Sequence, residues 1–340
     1  MKFCLILLAG WLGAIGLPTA EAAVLINGQN YVAVTNWAAL NGLKSTWVSR
    51  TTLQAANKQD RLRFTVNSNE AVINGVLVIL SHPVANDKGT LLVSQFDLDK
   101  TIRPLLYPAA FAARKPVKTI CLDPGHGGKD PGFRFGWNAE KICTLLLADE
   151  LAAQLRAAGF KVIFTRAQDA FVELPLRPDL ANQRGADLFI SLHFNATENN
   201  RAQVSGAETY CITPVGASSS NAEGAGAGSG GTRANLVEKN SLLLAYQVQT
   251  ALVKNLQAGD RGVKRARFAV LRDAKMPAIL VESGFLSHPA ESRKITTAAY
   301  RRQVAAAILK GILDYQRLTA PWPPDTATEG TTGAKKKPRT

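Results

Sequence analysis

The sequence predicts an α/β fold: a mainly parallel twisted sheet with helices on both faces, preceded by a small mostly-β domain. Three observations predict it. From Val117 onwards, short apolar runs of strand length alternate with longer segments that repeat apolar residues at helical spacing. Those helical segments end at Gly159 and Gly185, and glycine is a common helix stop. Before Val117 the runs are short and β-rich, parted by Asn-Gly, Asn-Ser and Asp-Lys-Gly turn signals. A βαβαβ rhythm of this kind packs helices on both faces of a parallel sheet.

The elements follow in order. Residues 1–22, MKFCLILLAGWLGAIGLPTAEA, carry Lys2, an apolar run and the small-residue pattern Ala20-Glu21-Ala22. This is the pattern of a secretory signal peptide, cleaved before Ala23. The apolar run is about 15 residues, short of the roughly 20 that span a bilayer. Cys4 comes too early for a lipoprotein signal. No transmembrane segment is expected once the signal is removed, and the mature chain is expected in the periplasm or outside the cell.

Residues 24–112 form the small β-rich domain. VLINGQNYVAV, LRFTVNS, EAVINGVLVIL and GTLLVSQFDL read as strands, and TNWAALNGL and DLDKTIRPLLYP as short helices. The pieces INGQNYVAV, NGVLVILSHPV and LLVSQFDLDKTIRPLLYP resemble the N-terminal stalk domain first described in copper amine oxidases. That resemblance implies a spacer or docking module. His82 is the one histidine here, and no metal site is expected around it.

Residues 117–318 form the second domain. KTICLD, KVIFTR and ADLFISLHFNA are its first strands; EKICTLLLADELAAQLRAAG and LPLRPDLANQRG are the helices between them. GAETYCIT, FAVLRD and PAILVESGF are further strand candidates. NSLLLAYQVQTALVKNLQ and TTAAYRRQVAAAILKGILDYQRL are amphipathic helices. The stretch 216–232, GASSSNAEGAGAGSGGT, reads as a flexible loop, and residues 319–340 as a disordered basic tail.

Charge narrows the surroundings. The chain of 340 residues has net charge +14, and losing residues 1–22 removes one lysine and one glutamate, so +14 persists. An exported protein this basic expects an anionic partner, which a cell-wall polymer, lipid headgroups or nucleic acid would all supply. Nucleic-acid binding lacks aromatic interleaving and a recognisable module. Three cysteines remain, Cys121, Cys143 and Cys211. They sit in apolar strand and helix patterns and read as small buried hydrophobes.

Ligands of open α/β sheets sit beyond the carboxyl ends of the strands. His126 follows the first strand in a glycine-rich loop, DPGHGGKDPG; His193 lies near the end of the third; Glu282 ends a late apolar strand; Glu140 opens the first helix. All four fall on one edge of one sheet. Two histidines and a carboxylate make a catalytic-type zinc site, and a further carboxylate can act as general base and acid. Each group has a bland alternative. His126 can be a turn residue, His193 a satisfied core histidine, and Glu140 a favourable charge at a helix start. Glu282, after four apolar residues, is costly to bury without a partner. Joint placement carries the reading.

These residues also lie in motifs that resemble the amidase-3 family, the zinc-dependent N-acetylmuramoyl-L-alanine amidases. The pieces stand in order: ICLDPGHGGKDPG, EKICTLLLADELAAQLRAAGFKVIFTR, LRPDLANQRGADLFISLHFNA and DRGVKRARFAVLRDAKMPAILVESGFLSHPAE. The resemblance implies one zinc ion held by His126, Glu140 and His193, with Glu282 as the catalytic glutamate. It implies peptidoglycan as substrate, hydrolysed between the lactyl group of N-acetylmuramic acid and L-alanine, in cell-wall remodelling or daughter-cell separation. A zinc peptidase acting on the stem peptide and a non-catalytic wall-binding protein are the alternatives. The motif set favours the amidase over the first, and the intact set of four residues counts against the second.

Other residues are less determined. Asp123 and Asn195 flank the ligands and either orient them or shape turns. Arg272 either meets a stem-peptide carboxylate or makes a surface ion pair. His288 is expected at the surface. Some relatives with this core carry an inserted helix that covers the zinc until a partner removes it. Here the insertion at 216–240 is glycine- and serine-rich, so a mobile substrate loop is expected. Glu238 is its one credible occluding ligand, and a protein activator is left open.

Overall fold

The structure, a computed structural model, describes residues 23–111, 115–136, 138–220 and 230–320. The expected signal peptide lies outside the described residues, as do residues 221–229 of the glycine-rich loop and the tail from residue 321.

The N-terminal region contains β1 (Val24–Ile26), β2 (Gln29–Ala33), β3 (Lys44–Trp47), β4 (Thr52–Ala56), β5 (Arg61–Thr65), β6 (Glu70–Ile73), β7 (Val76–Ile79), β8 (Ala85–Asp87) and β9 (Thr90–Ser94). Its tight hairpins have a local cause. Asn27-Gly28, Asn74-Gly75 and Lys88-Gly89 all hold positive φ at both residues, as the hairpin turn that matches strand twist requires. β1, β2, β9 and β8 form one antiparallel sheet, and β3 to β7 form an antiparallel meander.

The second region contains β10 (Thr119–Pro124), the short hairpin β11 (Arg134–Phe135) and β12 (Asn138–Ala139), then β13 (Lys161–Phe164), β14 (Leu188–Asn195), β15 (Ala207–Cys211), β16 (Asp260–Arg265) and β17 (Ala278–Phe285). β13, β10, β14 and β17 are parallel neighbours. β15 runs antiparallel to β17, and β16 parallel to β15. Helices cover both faces, as expected. Glu140–Ala157, Glu238–Leu256 and Ala298–Thr319 pack over the larger core. The shorter Leu176–Gln183 and Ala269–Arg272 cover a smaller core built on Cys121, Phe189, Tyr210 and Leu280. Gly311 lets the helix Ala298–Thr319 pack closely on Glu238–Leu256, since a Cβ there would lie 2.5 Å from the Val248 Cα.

Two expectations change. FAVLRD is not a strand; it holds the helix Ala269–Arg272, and the strand beside it is β16, DRGVKR. β16 is polar because its charged side chains find partners within the sheet, among them Glu208. The two regions also share one sheet. β7 pairs with β16 through Val78 and Val263, which makes an eleven-stranded order of β13-β10-β14-β17-β15-β16-β7-β6-β5-β4-β3. Polar contacts close this seam: Leu77 N–H donates to Asp260 at 2.7 Å, and Tyr246 Oη to the Ile73 carbonyl at 2.8 Å. Lys100 pairs with Glu238 at 2.6 Å.

Cys121, Cys143 and Cys211 are buried and free, as read from their patterns. Burial raises all three thiols, that of Cys143 to about 11, so they remain protonated at neutral pH.

Candidate metal centre

The loop after β10 is shaped by what surrounds it. Gly125 leaves room for a ligand, since a Cβ there would sit 2.3 Å from His193 Cε1. His126 itself adopts φ +61°, a left-handed conformation uncommon for a side-chain-bearing residue. Two buried arginines hold it there. Arg177 donates to the carbonyls of Pro124 and His126, each at 2.9 Å, and to Asp123 at 2.9 Å. Arg166 donates to Pro124 O at 2.9 Å and Gly125 O at 2.7 Å. Strain of this kind persists only where the surroundings over-determine it.

His126, Glu140 and His193 meet beyond the strand ends, with one candidate ligand atom from each within 4.8 Å of the others. Glu140, the first residue of its helix, lies between the rings: Oε2 is 3.1 Å from His126 Nε2 and Oε1 is 3.1 Å from His193 Nδ1. Backbone N–H groups of Phe133 and Phe194 also donate to it. Burial pushes the Glu140 carboxyl up, but hydrogen bonds and positive charge from both histidines outweigh this and hold it well below its usual range. Burial likewise opposes charge on His126, and its bonds to Glu140 and Asp130 reverse the balance and raise it.

Asp130 was not singled out from the sequence. Its Oδ2 lies 2.8 Å from His126 Nδ1, which directs Nε2 towards Glu140. A carboxylate behind a ligating histidine fixes its tautomer and orientation. Its position four residues after His126, in HGGKD, was the available signal. The donor set suits zinc: two imidazoles, one ionised carboxylate and an outer carboxylate, with all three described cysteines buried and protonated elsewhere.

These groups line a cleft of about 320 Å³ with Leu174, Phe194, Phe268 and Val270 on its apolar walls. A larger cavity, about 400 Å³, lies in the N-terminal region between Asn57 and Gly75 and holds no such group. Chemistry, not size, picks the site. Glu282 lines the cleft from β17, paired in register with His193. Its buried Oε2 has no hydrogen-bond partner among the described residues. Burial, then the charges of Glu140 and Glu208, push this carboxyl well above its usual range against the pull of Lys264.

The other named residues separate. Asp123 is fully buried and accepts from Thr165, Ser191 and Arg177, so it acts on the loop through Arg177 and touches no candidate ligand. Asn195 lines the cleft and donates to Glu208 at 2.7 Å. Arg272 is exposed and lies outside the cleft lining. His288 caps the helix Pro289–Ile295. Lys129, three residues after His126 in the same loop, stands 4.2 Å over the Phe171 ring centroid and points to no candidate ligand role. Glu238 pairs with Lys100 and Asn235 and is absent from the histidine–glutamate group, so it is no occluding ligand.

The chain is 35% identical over 206 residues to the N-acetylmuramoyl-L-alanine amidase LytC of Bacillus subtilis, covering 60% of this chain and 37% of that protein. It is 33% identical over 222 residues to the N-acetylmuramoyl-L-alanine amidase AmiA of Escherichia coli, covering 58% and 76%. Among solved structures, an N-acetylmuramoyl-L-alanine amidase from Clostridium difficile 630 matches with a TM-score of 0.50 at 33% identity, covering 60% of this chain and 98% of that one. The amidase-3 description, N-acetylmuramoyl-L-alanine amidase, matches residues 120–314, and the chain belongs to that family.

Proposed function

We propose that this chain is an exported, zinc-dependent N-acetylmuramoyl-L-alanine amidase that cuts peptidoglycan between the lactyl group of N-acetylmuramic acid and L-alanine. One observation carries the reading: a His126–Glu140–His193 group and the unpartnered Glu282 carboxylate oxygen line the same cleft. His126, Glu140 and His193 would hold one zinc ion. When bound, zinc supplies a Lewis acid that lowers the pKa of a water and polarises a carbonyl.

The chain's own residues do the rest. Asp130 keeps the proton on His126 Nδ1 and leaves Nε2 to bind. Arg166 and Arg177 fix the loop backbone on which His126 stands. Glu282 accepts the proton of the attacking water and returns it to the departing amide nitrogen as the C–N bond breaks. Leu174, Phe268 and Val270 give the cleft apolar walls against which the substrate packs.

Export follows from the pattern at residues 1–22, and no helix among the described residues is long and apolar enough to cross a membrane. The net charge of +14 suits an anionic wall polymer. The N-terminal β region serves as a docking or spacer module, here joined to the catalytic sheet.

The test is product analysis. Purified mature protein is incubated with peptidoglycan, with and without chelator, and the products are identified by mass spectrometry. Free stem peptides with an L-alanine amino end, lost on chelation, are expected. Fragments cut within the stem peptide contradict the amidase and favour a peptidase, and intact polymer favours a binding protein.

A further inference from the structure

A second buried glutamate stands beside the base. β15 and β17 run antiparallel with Glu208 directly opposite Glu282, and His193 is the register partner on the other side. One row across three strands therefore reads His193, Glu282, Glu208, on a single face of the sheet. Glu208 is 2% exposed and is outside the candidate ligand group. Like charges directly opposite in an antiparallel pair destabilise it, so a glutamate here needs compensation.

Its neighbours provide it. Oε1 accepts from Asn195 Nδ2 at 2.7 Å and Tyr210 Oη at 2.8 Å. Oε2 accepts from Lys264 Nζ at 2.5 Å and Arg261 Nε at 3.1 Å. The next carboxylate in the row, Glu282, keeps an oxygen with no donor. Two cations of β16, with β15 between them and the strand of Glu282, thus bond Glu208 and do not engage the unpartnered oxygen of the base.

We propose that Glu208 is a positioning residue that holds Lys264 and Arg261 away from Glu282 and fixes the Asn195 amide in the cleft wall. The proposal rests on Glu282 acting as the base of the reaction proposed above. Lys264 is the cation to watch. It lies opposite Tyr210 in register, on the face that carries Glu208, with its ammonium 5.7 Å from the Tyr210 ring. An ammonium on a flexible four-carbon stem moves readily to a new acceptor. If the charge at 208 is removed, the free oxygen of Glu282 becomes that acceptor. A Glu282 carboxylate held by Lys264 is blocked from the water it must deprotonate.

The test is a double-mutant cycle read by kinetics, zinc content and structure. On a soluble muropeptide, Glu208→Gln is expected to lower kcat about 10²-fold, the low end for loss of a general base, while KM stays within about twofold. Adding Lys264→Met restores most of that loss, although Lys264→Met alone brings no gain, and zinc content is equal in all four proteins. A Glu208→Gln protein with wild-type kcat, or a double variant no faster than Glu208→Gln, overturns the proposal. A crystal structure of Glu208→Gln decides independently of turnover. Lys264 Nζ within hydrogen-bond distance of Glu282 is expected, and Nζ remaining at position 208 overturns the proposal. An inactive wild-type protein instead counts against the amidase reading and leaves the structural arm to judge Glu208.

Discussion

The start of the helix Glu140–Ala157 and the middle of β17 each deliver one glutamate to the same cleft, and they treat it in opposite ways. Glu140 meets two imidazoles and two backbone N–H groups. Glu282 follows four apolar residues within β17 and leaves one oxygen without a donor. A carboxylate ringed by donors stays ionised and suits a cation, whereas one without them is available for a proton. The residue type is the same, and the surroundings divide the work.

The sharpest way to break this contrast is at Glu140. Glu140→Gln is expected to lose bound zinc and all measurable turnover together, read by metal analysis and product assay. Retained zinc would show that the helix start does not carry a ligand.

Asp130→Asn tests the outer carboxylate. It is expected to weaken zinc binding about 10- to 100-fold, as loss of such a partner usually does, measured by chelator competition. Unchanged affinity would mean that the His126–Asp130 bond shapes only the turn.

Gly125→Ala sharpens the contrast from the other side. The added Cβ must displace the His193 ring, which it would meet at 2.3 Å, so zinc affinity falls while the Glu282 end of the cleft keeps its shape. About 1–3 kcal/mol of stability is expected to go with it, as for other overpacked sites. Thermal melts of the metal-free protein check this.

The smallest effect is a control. Asp187 is rich in donors like Glu140 but lies outside the cleft lining, immediately before β14. Burial pushes it up, but Lys115 and the backbone N–H groups of Thr119 and Lys118 outweigh that and lower it. A lowered folded-state value gives stability that is present above the unfolded value, about pH 4, and is lost as pH falls through the folded one. Asp187→Asn is expected to cost about 1 kcal/mol at pH 7 and less at pH 3, with zinc affinity unchanged. An equal cost at both pH values would remove the electrostatic explanation.

Much of this was legible before the structure. The Asn-Gly turns, the βαβαβ rhythm and the placement of His126, Glu140, His193 and Glu282 all follow from local patterns and strand ends. What was not legible depends on partners far apart in the chain. Arg177 reaches the His126 carbonyl 51 residues away, and nothing in LPLRPDL marks that arginine as buried. The seam between regions joins Leu77 to Asp260 across 183 residues. β16 escaped notice because its charges are satisfied by Glu208 and not by water, so it lacks a strand's apolar signature. The helix Ala269–Arg272 spans four residues, too few for periodicity to separate it from a strand.

The most direct test of the division between the two glutamates is the zinc content of Glu282→Gln, measured beside its turnover of peptidoglycan. Full zinc occupancy, equal to that of the wild-type protein, with turnover lowered at least about 10²-fold is expected. Lost zinc, or retained turnover, would contradict Glu282 as the base that stands apart from the metal ligands.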